Sequence, residues 1–155
     1  MLEKSETMNG KLTSASGRLE RLGIAIVALH AIVLVAHSAA HLSLHIDVNL
    51  WQNAYILLVI IVLPLVSAYL LWKRARGGFL ILFLSMLGAL LFGAYYHFIL
   101  SGPDNVSEVG HHAQRSAQLF QVSALLLGLV EAAGVIAGAA GLRKNQRQKT
   151  VVGKQ

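Results

Sequence analysis

The chain contains no cysteine, and that one absence removes disulfide frameworks, thiolate metal sites and cysteine nucleophiles together. Two prolines beside 14 glycines exclude a collagen-like repeat. Charge is also scarce. Only 13% of the 155 residues are charged while 55% are apolar, against about 25% and roughly 45–50% in an average soluble domain. This balance excludes disorder and points to lipid. A net charge of +6 would suit nucleic acid only if the basic residues gathered on one water-facing surface, and here they flank apolar runs. There is no phosphate-binding glycine loop, Ser–His–Asp pattern, zincin helix or carboxylate pair, which argues against hydrolytic and phosphoryl-transfer enzymes. No internal repeat or second domain is visible.

What is present is four long apolar runs. A helix is the single segment that satisfies its own backbone in hydrocarbon, and crossing ~30 Å at about 1.5 Å per residue takes roughly 20 residues. Spans are expected at about 22–46, 51–72, 79–100 and 117–142, none holding a Lys or Arg. Trp51 and Trp72 frame the second span at the two interfaces, ~31 Å of helix apart.

If the spans alternate, twelve of the 13 basic residues fall on one side and only Arg115 on the other. The positive-inside rule then makes both termini cytoplasmic, in the cell (inner) membrane. The outer connections, Asp47 to Leu50 and Ser101 to Ser116, carry Asp47, Asp104 and Glu108. The expected fold is all-α: an integral membrane protein forming an antiparallel four-transmembrane-helix bundle over 22–142. Residues 1–21 and 143–155 become basic cytoplasmic arms, read as disordered and close to anionic lipid. The first span also bears some likeness to a secretory signal ending near Ala40, but 21 residues are long for its basic region, and an ordinary span is preferred.

Small residues recur on the last span, with Gly134 and Gly138 forming a GxxxG. Close packing within the chain is favoured over a dimer interface. Gly77 and Gly78 suggest a tight turn, and Pro64 frees the Ile60 carbonyl and bends the second span.

Chemistry concentrates in the histidines. His30, His37, His41 and His45 form one stripe on the first span, where i and i+4 neighbours can present two imidazoles to one ion. Counting from the outer edge puts His45 ~1–2 Å deep, His97 ~5–6 Å, His41 and Gln121 ~7 Å, and His37 ~13 Å. The same count puts Glu131 ~22 Å deep and His30 ~24 Å. His41 and His97, level on diagonal helices, suit axial ligation of haem b, with Gly93 leaving room for the macrocycle. Alternatively, His37, His41 and His97 with Gln121, or with His111 or His112, make a nitrogen-rich site for Cu or Zn. Tyr55 and Tyr96 stand at the same level. Glu131, the one acid inside a span, should be protonated or paired with His30, and the two suggest a proton relay.

Beyond His97, Gly102-Pro103-Asp104-Asn105 reads as a turn opening a connection longer than a bundle needs, and Asn105-Val106-Ser107 fits a glycosylation sequon. The leading expectation is a small multi-pass protein whose outer histidines bind a metal ion or haem for electron transfer or metal handling. One alternative is a non-catalytic subunit packed against a membrane-protein partner or its own copies. Another is a proton or cation path through His30 and Glu131. The bilayer is the expected environment, and no nucleic-acid partner is expected.

Overall fold

The computed structural model describes the backbone of residues 2–75, 77–109 and 114–152, with side chains over 17–75, 77–109 and 114–146. Four helices account for nearly all of it: α1 (Leu2–Leu44), α2 (Leu50–Trp72), α3 (Gly78–Ile99) and α4 (Gln114–Val152), with no strand among the described residues. All four are long and apolar enough to cross a membrane. The arms expected to be disordered continue instead as helix, because Leu, Glu, Lys, Met and Arg favour helix and a nucleated helix extends at little cost.

The helices form a ring in which α1 packs on α2 and α4, and α3 on α2 and α4, leaving α1 and α3 on a diagonal. Connections between neighbours make the bundle antiparallel. It therefore has a terminal end, holding both chain ends and the α2–α3 turn, and a loop end, holding the α1–α2 and α3–α4 connections. Helix stops are local. Backbone bonds from Ile46 N to His41 O and from His45 N to Leu42 O close α1 with His45 at φ 53. The same pattern closes α2 with Arg74 at φ 53. The turn residue is thus Arg74; Gly78 instead seats against Leu71, whose backbone nitrogen would lie 3.0 Å from a Cβ there. Asn49 starts α2 through a reciprocal capping box with Gln52.

The terminal half is a tight apolar core of Val27, Leu71, Phe79, Leu82, Met86 and Ala137. Helix association in lipid rests on close packing because burial from acyl chains gains little, and here glycines provide the closeness. Gly134, Gly138 and Gly141 of α4 lie against Met86, Phe83 and Phe79 of α3, so the small-residue stripe is consumed within the chain. Leu57, Leu65, Leu129 and Ile136 face outward, as lipid-facing residues do, and Trp51 and Trp72 are exposed at opposite ends of α2.

The loop half is different. Helix α2 adopts π geometry over Ile56–Val62, just before Pro64, so the missing proline donor is absorbed by a wider turn. Helix α1 packs chiefly against Leu63–Trp72 of α2, and beyond the π stretch the two diverge. A cavity of about 330 Å³ fills that divergence.

Candidate metal centre

Three of the predicted site residues come together: His37 and His41, one helical turn apart on α1, and His97 on α3. One nitrogen from each lies within 4.8 Å of the others. His37 Nε2 is 3.1 Å from His41 Nε2 and 3.2 Å from His97 Nε2. The cluster lies on a wall of Phe120, whose ring centroid is 4.9, 5.1 and 5.4 Å from those of His37, His41 and His97.

Helix α3 reaches this point in a second π segment, Tyr95–Ile99, where Leu100 N bonds Tyr95 O at 2.8 Å. The wider turn leaves the His97 carbonyl to accept from Val106 N at 2.9 Å, drawing the following loop down onto the cluster. Gly102, at φ 150, permits the reversal. Asn105 holds it through Nδ2 to Leu100 O at 3.0 Å and through Oδ1, which accepts from Ser107 N at 2.9 Å and Ser107 Oγ at 2.7 Å. The sequon asparagine is therefore a buried structural residue with its amide engaged, which overturns the glycosylation reading.

This loop delivers Asp104. Its backbone oxygen lies 3.0 Å from His97 Nδ1, and its Oδ1 lies 3.2 Å from both His97 Nδ1 and His41 Nε2. On the other side, His37 Nδ1 faces Ser123 Oγ at 2.9 Å, while that hydroxyl donates to Phe120 O at 3.0 Å. These partners fix the tautomers. Ser123 has spent its proton, so it accepts one from His37 Nδ1; the Asp104 backbone carbonyl can only accept, so His97 Nδ1 is also a donor. In neutral rings the two Nε2 lone pairs must then face each other across 3.2 Å. A cation between them, a proton or a metal ion, resolves that contact.

Nitrogens bound to a tetrahedral Zn(II) at ~2.0–2.1 Å stand roughly 3.3–3.4 Å apart; the two pairs that include His37 are close to this at 3.1 and 3.2 Å, and the three nitrogens all lie within 4.8 Å of one another. His37 and His97 have hydrogen-bonded Nδ1 atoms behind their converging Nε2 atoms, the usual support of such ligands, while His41 meets Asp104 Oδ1 through Nε2 itself. Haem b would need His41 and His97 on opposite faces of a macrocycle. The His37 ring stands 4.7 and 4.8 Å from theirs, in the space the macrocycle would fill.

Gln121 is a correction. It is exposed and donates to Val106 O at 2.8 Å, because the inward face of α4 carries Phe120, Ser123, Ala124, Leu127 and Glu131, and position 121 turns away from it. His45 is exposed where α1 ends, outside the cluster. Tyr55 bonds Gly88 O at 3.1 Å and stacks on Phe92, and Tyr96 packs on Phe92, so neither joins the histidines. His111 and His112 lie outside the described residues. Deeper in the bundle, His30 Nε2 meets Glu131 Oε1 at 3.3 Å, both residues buried.

Sequence reasoning missed Asp104, counted only as an outer acid, together with Ser123 and Phe120. Phe120, Ala124, Leu127 and Glu131 share the spacing of one helix face, a signal that pointed to position 123 or 124 rather than 121. No protein-family model, curated protein or solved structure matches this chain.

Proposed function

We propose that this protein is a metal-binding membrane protein in which His37, His41 and His97 hold one divalent ion of the Zn(II) or Cu(II) class, for metal handling near the outer face. The observation that carries this reading is the 3.2 Å approach of two imidazole nitrogens whose partners have fixed the proton on the far side of each ring. Nitrogen-only ligation suits these borderline ions, and thiolate, which would favour Cu(I), is absent. The interposed His37 favours a single ion over haem b. The distribution of Lys and Arg supports cytoplasmic termini, making the loop end the outer one.

Metal analysis of detergent-purified protein tests the reading, with one bound ion per chain expected. A Soret band without stoichiometric metal would overturn it in favour of haem. Neither signal would leave a packing subunit for a membrane partner or for its own copies. A second reading, a proton path, draws on the buried His30–Glu131 contact at 3.3 Å. Liposome proton flux that falls in Glu131→Gln supports it, and unchanged flux removes it.

A further inference from the structure

The cavity beside the histidines has two unlike parts. His37, His41, His97 and Asp104 form its polar end, and Glu131 lies on its wall further along α4. Most of the remaining lining is apolar, including Leu34, Ile56, Ile60, Leu90 and Leu127. Ser38 and Leu42 of α1 and Asn53 of α2 line it and are exposed. They mark a side opening where α1 and α2 diverge. In a membrane that opening faces acyl chains, and the loop through Asp104 covers the end of α3 nearest to water.

We infer that the cavity binds a small lipid-soluble molecule that enters sideways between α1 and α2 and places one oxygen-bearing, metal-coordinating head group on the ion held by the three histidines. This rests on the metal reading above. Three features select the occupant. The volume is at the lower end of small-molecule sites, which run ~300–1,000 Å³, so the apolar body is short. The walls offer an alkyl chain contacts on all four helices. An ion held by three imidazoles accepts a further ligand, and the head group supplies it from the cavity side. A long diacyl lipid exceeds this space, and a fully polar solute gains nothing from its walls.

Gly128 provides the test. It lines the cavity and a Cβ built there meets nothing within 4 Å, so Gly128→Leu starts its side chain from open space and takes up part of the cavity. Protein in bilayer nanodiscs is loaded with Co(II), whose visible bands report its ligands, and titrated with octanoyl hydroxamate and with acetohydroxamate. Both carry the same head group. In Gly128→Leu, the half-saturating concentration of the octanoyl compound is expected to rise at least tenfold, with that of acetohydroxamate and the Co(II) bands unchanged. Using one bilayer for both proteins cancels partitioning of the alkyl chain. An octanoyl response identical in the two proteins overturns the proposal.

A second measurement works without metal. A diazirine-bearing octanoyl hydroxamate should label Ile60 or Leu127 in the unsubstituted protein and lose that label in Gly128→Leu. Labelling confined to outward residues such as Leu125 and Leu129 overturns the cavity assignment. Absence of Co(II) bands in protein whose cavity is labelled overturns the metal reading and the head-group assignment, while the apolar site stands.

Discussion

His37 Nε2 and His97 Nε2 face each other at 3.2 Å while Ser123 and Asp104 occupy the opposite nitrogens of the two rings. The two outer partners determine what lies between the inner atoms. If Ser123 and Asp104 orient the ligands, removing either should weaken metal binding without abolishing it. Outer partners of this kind are typically worth about 10–100-fold in affinity. Ser123→Ala and Asp104→Ala are each expected to lower Co(II) or Zn(II) affinity by roughly that factor in a competition assay against a chelating dye. His97→Ala should remove stoichiometric binding. Asp104→Ala keeps the backbone oxygen that accepts from His97 Nδ1 and removes only the carboxylate, so full affinity in Ser123→Ala is the result that would mean the tautomers do not govern the site.

The same geometry sets the sign of the pH dependence. An imidazole ligates through a lone pair, so protons and metal compete for the converging Nε2 atoms. At alkaline pH the rings are neutral and binding is strongest; as pH falls, protons fill the gap and metal leaves. Affinity should drop ~tenfold per unit of pH for each proton displaced. Calorimetry in buffers of different ionisation enthalpy counts those protons. A metal affinity flat from alkaline pH down to the acid limit of the fold would exclude imidazole as the ligand.

The spans, their number and their antiparallel arrangement were legible in the sequence because each depends on length and apolarity alone. His37, His41 and His97 were legible too, from spacing and depth, but depth is only one of two helical coordinates. Gln121 had the right height and the wrong azimuth. An error of ~100° per residue in rotation moves a side chain from the bundle interior to its surface. The π segments were not legible: Tyr95–Ile99 and Ile56–Val62 contain ordinary helix formers, and only Pro64 hinted at a disturbance. Counting from Ile46 put His37 well below His97, but α1 ends at Leu44 and depth counted along a helix leaves out the reach of the side chains, so the two rings meet. Asp104 was hidden for another reason. Its position depends on a loop whose path is set by the His97 carbonyl and the buried Asn105 amide, contacts that no local pattern announces.

Two glycines on α4 make a controlled comparison of packing. A Cβ at Gly138 would lie 2.8 Å from the Phe83 Cα and backbone nitrogen, atoms that cannot yield without moving α3. At Gly128 a Cβ meets nothing within 4 Å. Gly138→Ala is therefore expected to destabilise the bundle by ~1–3 kcal/mol, the usual effect of overpacking. Gly128→Ala should be neutral or slightly stabilising through its better helix propensity. Unfolding in mixed micelles with increasing denaturing detergent measures both. Equal stability of the two variants would show that α3 and α4 are not held in the close contact described.

The absence of cysteine turns orientation into a clean measurement, because any introduced thiol is the only one in the chain. Arg74 stands at the terminal end with its side chain exposed, in a surface ion pair with Glu20 at 3.6 Å whose loss costs little. Glu108 sits in the loop over the histidine cluster, where its Oε2 accepts from Gly102 N at 2.9 Å. Positive-inside orientation predicts that Glu108→Cys reacts with a membrane-impermeant maleimide in intact cells, whereas Arg74→Cys reacts only after permeabilisation. The reverse pattern would invert the chain and put the histidine cluster in the cytoplasmic half of the bilayer. Arg115, alone at the loop end against twelve basic residues at the other, would then be the lone charge obeying the rule.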